Sequence, residues 1–118
     1  MSIESTVIGY LGDRLEVPVS GEVPPGPQKR YVVVERTGGG DEKDGMERVT
    51  LAIRSCAKED LPAAIRLSAR VRSVMRRLPE LPRVFRCECT REYNFTDTRS
   101  KERRYQAVFE ILYMEEDE

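Results

Sequence analysis

The sequence contains no histidine, which removes the side chain that most often moves protons near neutral pH. Acid–base or nucleophilic chemistry would have to come from carboxylates, lysines, or a lone cysteine or serine. The carboxylates fall in runs, such as residues 41–44 and 115–118, that are typical of solvated surface. We therefore expect a protein that is not an enzyme, with no catalytic residues and no cofactor.

An excess of charge of one sign is also missing. Lys and Arg total 20 and Asp and Glu total 21, so the net charge is −1 although 35% of the residues are charged. Tight binding to phosphate needs a strong basic excess, so we expect no specific nucleic-acid binding. No apolar run approaches the roughly 18 to 20 residues of a membrane span, so we expect no membrane contact.

Cysteine is scarce, and its count of three is odd. An odd number argues against a disulfide framework and favours a reducing compartment. Cys87 and Cys89 would place both thiols on one face of a strand, but with Cys56 as the only further thiol and no histidine the ligand set for a metal is poor. We interpret all three as small apolar core residues and expect no metal.

The apolar pattern predicts two helices and four strands. Helical spacing indicates helices over residues 3–11 and 58–78. Alternating or β-branched stretches indicate strands over residues 30–36, 46–56, 83–90 and 104–114. Prolines make residues 13–29 an extended connection, in which residues 15–19 suit a brief edge strand.

This order of elements predicts an α+β fold. It indicates a four-stranded sheet of two hairpins with two helices packed on one face, in the order helix-strand-strand-helix-strand-strand. The length of 118 residues favours a single domain, residues 1–118, in which we expect the acidic residues 115–118 to be disordered.

The second predicted helix carries one apolar stripe. Its members are Leu61, Ala64, Ile65, Ser68, Val71, Met75 and Leu78. If this stripe packs on the sheet, truncating Ile65 or Met75 to alanine should cost on the order of 2 to 5 kcal/mol.

Three consecutive glycines follow the first strand, and no packing requirement explains them. A phosphate-binding loop would need a Gly-Lys-Ser/Thr ending that opens a helix, whereas these glycines lead into acidic residues and another strand. We interpret residues 37–45 as a flexible hairpin tip, or more sharply as a loop that becomes ordered on a partner. The candidate contact residues here are Arg36, Thr37, Gly38, Gly39, Gly40, Asp41, Glu42 and Asp44.

A second polar connection, residues 91–103, carries two aromatic residues. Tyr93 and Phe95 either tuck back on the sheet edge or anchor a neighbouring protein, and the sequence leaves both readings open. The candidate contact residues are Tyr93, Phe95, Arg99, Lys101, Arg103 and Arg104. If copies of the chain form a ring, we expect this segment to lie across a neighbour, opposite Asp41, Glu42 and Asp44.

Several stretches together resemble the tail terminator, or tail completion, proteins of long-tailed bacteriophages and prophages. The chain begins with a short predicted helix, which is followed by the segment Val17-Pro18-Val19-Ser20 and then by a proline-rich stretch. Next comes the sequence Arg-Tyr-Val-Val-Val-Glu-Arg-Thr-Gly-Gly-Gly at 30–40. The segment 93–113 completes the pattern, which spans nearly the whole chain.

The resemblance implies a structural protein of the virion, assembled in the bacterial host cytoplasm. It implies a ring, typically a hexamer, that caps the tail tube, ends tail polymerisation and joins the tail to the head connector. Its partners would be further copies of itself, the major tail tube protein and the head-completion protein. The alternative is another head–tail adaptor or minor tail protein of a prophage with the same fold.

Overall fold

The computed structural model describes residues 2–115, so the acidic segment predicted to be disordered lies, apart from Glu115, outside the described residues. The first helix, α1, spans Ile3–Arg14. The Ser2 hydroxyl caps it by accepting a hydrogen bond from the Ser5 amide at 3.1 Å. The helix continues past Gly12, its predicted stop, because Gly12 does not adopt the positive φ of a helix terminator.

The second helix, α2, spans Leu61–Met75 and is shorter than predicted at both ends. Asp60 caps it, with one carboxylate oxygen accepting a hydrogen bond from the Ala63 amide at 2.8 Å. After Met75 the chain bends into a single 3-10 turn, Leu78–Glu80. Pro79 in this turn lacks the amide hydrogen that a continued helix requires.

The predicted apolar stripe of α2 is correct for Met75 and wrong for Ile65. Met75 is fully buried, whereas Ile65 is 41% exposed. The face that α2 turns to the sheet is centred on Ala64, Leu67 and Val71, and Ile65 lies beside it. Helical spacing alone did not show which edge of the apolar stripe packs against the sheet.

The sheet has five strands and is mixed, so the predicted four-stranded sheet of two hairpins is wrong, although the α+β class is confirmed. Its strands are β1 Val19–Ser20, β2 Arg30–Asp41, β3 Met46–Ala57, β4 Val84–Asn94 and β5 Arg104–Met114. They lie in the order β1-β2-β3-β5-β4. The two predicted hairpins, β2–β3 and β4–β5, are present and are joined through the central pair β3–β5.

The fifth strand, β1, lies within the predicted connection 13–29, at the end of the segment 15–19 that was expected to form a brief edge strand, and spans only Val19–Ser20. Val19 and Ser20 pair in parallel with Val32 and Val33, and the Val32 amide donates to the Pro18 carbonyl at 2.9 Å. The proline-containing residues 21–29 then carry the chain back to the start of β2.

Both helices lie on one face of the sheet, where α1 contacts β1 and β2 and α2 contacts β3 and β5. The core between the layers contains Val32, Leu51, Ile53, Phe109 and Ile111 from the strands. The strand residues that alternate with these form the opposite face of the sheet, which neither α1 nor α2 covers and which we term the open face.

The three glycines lie in β2 and not in a loop, which corrects the predicted flexible tip over residues 37–45. Gly38, Gly39 and Gly40 pair with Thr50, Val49 and Arg48 of β3 after a bulge at Thr37. The turn is thereby reduced to residues 42–45, where Asp44 and Gly45 take positive φ values of 62° and 78°. Glycine is required at position 39, since a Cβ there would lie 2.6 Å from the Arg48 carbonyl oxygen.

Candidate contact surfaces

The two candidate contact segments lie at opposite ends of the sheet. Met46 pairs with Met114, so the 42–45 turn and the end of β5 are at one end, which we term the hairpin end. Cys56 pairs with Arg104, so the connection between β4 and β5 is at the other end, which we term the loop end. Strands of about eleven residues separate these ends by roughly 35 Å. The structure therefore does not bring the two segments together within one chain.

At the hairpin end, the exposed residues are mainly acidic. Glu42 pairs with Arg48 at 3.4 Å, and Arg36 lies 3.7 Å from Glu4 of α1. Asp41 and Asp44 have no ion pair or side-chain hydrogen bond with any residue between 2 and 115, and both are exposed. Against these carboxylates, the turn itself offers only Lys43. The hairpin end thus presents negative charge to solvent.

At the loop end, the acidic side chains are used to shape the loop. Asp97 accepts hydrogen bonds from the Arg99 amide at 3.0 Å and the Ser100 hydroxyl at 2.8 Å, which lower the pKa of Asp97. Glu102 accepts from the Tyr31 hydroxyl on the open face at 2.7 Å. Burial, together with this hydrogen bond, raises the pKa of Tyr31. Both carboxylates are therefore satisfied within the subunit.

The basic side chains of the same loop point to solvent or stay close to the surface. Arg99 and Lys101 are exposed, and neither side chain has an ion pair with another residue between 2 and 115. The half-buried Arg103 donates to the Lys101 carbonyl, and Arg104 donates to the Phe95 carbonyl at 3.0 Å. Because the acids face inward and two cations are left unpaired, the loop end presents positive charge.

The two aromatic residues contact their own sheet. The Tyr93 and Phe95 rings meet edge to face at 6.1 Å between centroids. Phe95 lies between the guanidinium groups of Arg54 and Arg104, at 5.2 and 5.0 Å from its centroid. Gln106 donates to the Tyr93 hydroxyl at 2.6 Å. Both rings remain half-buried, so an additional contact with a neighbour stays a prediction.

Sequence reasoning did not single out a groove on the open face near the hairpin end. Met46 and Leu112 contribute to its apolar part. Its charged lining consists of three cations and three carboxylates: Lys43, Arg48, Arg86, Glu42, Glu88 and Glu110. Alternation along β4 and β5 places Glu88 and Glu110 on the polar face of their strands. Their direct juxtaposition depends on the register between the strands, which the sequence does not display.

The cysteines occupy three different environments. Cys56 is fully buried and Cys87 packs against the core, and burial raises their pKa values to about 11 and about 12. Cys89 is exposed on the edge strand β4, so its interpretation as a core residue is wrong. Residues 2–115 contain no group of three or more side chains suited to holding a metal ion. Among these residues, no helix is long and apolar enough to cross a membrane.

The geometry is that of a small α+β domain with oppositely charged ends and one sheet face that neither helix covers. No family model matches the chain, and no curated protein matches it. Its fold is similar to that of a chain in the solved structure of the virion of a native gene transfer agent particle, with a TM-score of 0.67 and 18% identity. The similarity covers 94% of this chain and 86% of the other. At this identity, the comparison establishes a shared fold.

Proposed function

We propose that this protein is a structural subunit of a phage-like virion and acts as a tail terminator. Copies of the chain would form a ring that caps the tail tube. By analogy with the tail terminator family, this ring would contain six subunits. The ring would stop tube polymerisation and offer a surface to the head connector. The observation that carries the proposal is a fold shared over 94% of the chain with a component of a virion structure.

The charge distribution supports assembly of identical copies. A ring closes through heterologous contacts, in which two different patches of each subunit meet. The hairpin end exposes Asp41 and Asp44, whereas the loop end exposes Arg99 and Lys101. These ends lie at opposite ends of the strand pair β3–β5. Such polarity favours head-to-tail contact between copies and sets their orientation during encounter.

The terminator role is tested by tube growth. Tail tube subunits encoded beside this chain would be polymerised with and without it, and tube lengths and ends would be compared by electron microscopy. We expect the protein to arrest growth and to add ring-shaped density at one end of each tube. The variant Arg99→Glu with Lys101→Glu should fold normally and lose this effect. Unrestricted growth with bare ends in the presence of the wild-type protein would contradict the proposal.

A head–tail adaptor with the same fold is the second candidate, because the fold does not specify which neighbour is bound. An adaptor should co-purify with the head connector and leave tube growth unchanged. The order of the neighbouring genes also separates the candidates. A terminator gene is expected between the genes for head completion and for the major tail protein.

A further inference from the structure

Two carboxylates face each other directly across the β4–β5 pair. Glu88 and Glu110 are cross-strand partners on the open face. Like charges directly opposite one another destabilise a sheet. Arg86 forms an ion pair with Glu88, but the carboxylate of Glu110 has no ion pair or hydrogen bond with any residue between 2 and 115. The half-buried Glu110 is thus a negative charge that the isolated subunit does not neutralise.

The surroundings of Glu110 form the groove described above. Leu112 and Met46 lie on its hairpin-end side, and Thr50 is the cross-strand neighbour of Glu110 on β3. Arg48 is paired with Glu42 and Arg86 is paired with Glu88. Lys43 also lines the groove, but it forms no ion pair with Glu110. An apolar floor beside an uncompensated carboxylate suits a long cationic side chain, whose methylene groups can pack while its charge is neutralised.

The chain's own basic loop does not supply this cation. Six residues of β5 separate Glu110 from Arg104, about 20 Å along an extended strand. The loop is also fastened at its own end of the sheet by the bond between Glu102 and Tyr31. The exposed cations Arg99 and Lys101 are therefore available to another molecule, and the groove is available to another molecule's cation.

We propose that the basic loop of one copy docks in the groove of the next copy, with Lys101 or Arg99 neutralising Glu110 between Met46 and Leu112. This inference rests on the proposed ring-forming function and identifies where its subunits meet. It moves the acidic half of the contact from the hairpin turn to the open face. The contact is heterologous, so each copy uses both surfaces and the arrangement propagates around a ring.

The proposal explains why a repulsive pair is retained in the sheet. Removing the charge of Glu110 should relieve repulsion within the subunit and simultaneously remove a contact between subunits. The variant Glu110→Gln should therefore raise the melting temperature of the dissociated subunit while weakening assembly. If Glu110 only contributed to the stability of the fold, its replacement would not raise the melting temperature and weaken assembly at the same time.

The decisive experiment is a charge exchange followed by sedimentation velocity over a range of protein concentrations. Glu110→Lys and Lys101→Glu should each weaken self-association by at least about tenfold, since close interfacial charge pairs couple by more than 1.4 kcal/mol. An equimolar mixture of the two variants should assemble again, because each variant supplies the surface that the other has lost. The chain that carries both changes should also assemble. Glu22→Lys, an exposed carboxylate far from the groove in sequence and without side-chain partners among residues 2–115, is the matched control.

The outcomes separate this contact from the function on which it rests. A wild-type chain that stays monomeric at its highest soluble concentration and forms no ring on tubes rejects the proposed function. Wild-type assembly that is unaffected by Glu110→Lys retains the ring and overturns the docking site. Variants that self-associate normally but fail to bind tubes would assign the groove to a basic segment of the tube protein, which also overturns the proposal.

Discussion

The two halves of β2 are paired to β3 along their whole length but differ sharply in burial. Residues 31–34 are all at most 4% exposed, whereas residues 35–41 are all exposed. The first half is flanked by β1, and α1 lies on the side of Val32 and Val34, while Tyr31 and Val33 are buried with Cys56 on the open face. The second half has β3 on one side and no strand on the other among the described residues.

The difference shows that burial and backbone pairing can specify a strand separately. The apolar half gains free energy from area removed from water, about 25 cal/mol per Å². The glycine half gains no such energy and pays a larger loss of backbone entropy. Its extended form is fixed by the neighbouring strand and by the tight turn at residues 42–45. The four predictions below test this contrast between the covered and the uncovered parts of the molecule.

The largest effect is expected in the covered part. Met75→Ala should lower the free energy of unfolding by about 2 to 5 kcal/mol, because it leaves a cavity under α2. Ile65→Ala on the same helix is the matched control and should cost less than about 1 kcal/mol, since Ile65 is largely in solvent. Denaturant titrations measure both. Equal losses at the two positions would mean that the buried face of α2 is different from the one described.

The next effect is expected in the uncovered half of β2. Gly39 has a φ of 152°, and an added Cβ would meet the Arg48 carbonyl oxygen at 2.6 Å. Gly39→Ala should therefore destabilise the protein by about 1 to 3 kcal/mol. Gly40→Ala is the control, because nothing lies within 4 Å of its added Cβ.

Gly40→Ala should change the free energy of unfolding by no more than about 1 kcal/mol, in either direction. Identical behaviour of the two alanine variants would show that this half of the strand is not held in register with β3.

A smaller effect is expected at the hairpin end, where the Tyr113 hydroxyl donates a hydrogen bond to the Glu47 carboxylate at 3.0 Å. Burial raises the pKa of Tyr113 to about 12, from an ordinary value of 10.0. Its contribution to stability should be complete below pH 10 and should be lost as the pH rises towards 12. Tyr113→Phe should remove this part of the alkaline fall in melting temperature. A wild-type protein and a Phe variant with the same alkaline profile would exclude the effect.

The smallest effect is expected in amide exchange of the isolated subunit. Residues 38–41 should exchange faster than residues 31–34, because only pairing protects them, and should become slower in assembled tails. Hydrogen exchange with mass spectrometry can follow both segments in one experiment. Equal protection of the two segments in the free subunit would remove the distinction between the two halves of β2.

Local features of the fold could be predicted from the sequence because they depend on near neighbours. The Ser2 cap, the two hairpins and the burial of Met75 follow from side-chain type and spacing, whereas Asp60, predicted to lie inside α2, caps it. Ile65 could not be placed, since the edge of an amphipathic stripe depends on how the helix sits on the sheet. The three glycines were not predicted as a strand, because glycine is typical of flexible loops. Here pairing with β3 holds them in an extended conformation.

The candidate contact surfaces remain predictions. The basic loop and the acidic turn were identified from composition, and the structure adds that they occupy opposite ends of the sheet. The loop's acids, Asp97 and Glu102, were indistinguishable from surface charges until their hydrogen-bond partners were known. The pairing of Glu88 with Glu110 could not be predicted either, because it depends on the register between β4 and β5.

The sequence by itself therefore determined the α+β class, the two hairpins, the start of α1 and the near-neutral balance of charge. These depend on residues within a few positions of one another or on composition alone. Only the tertiary structure decided the parallel strand β1, the strand conformation of the glycines and the opposition of Glu88 to Glu110. Each of these is a contact between distant parts of the chain, and the register that sets it is fixed by the packing of the whole sheet.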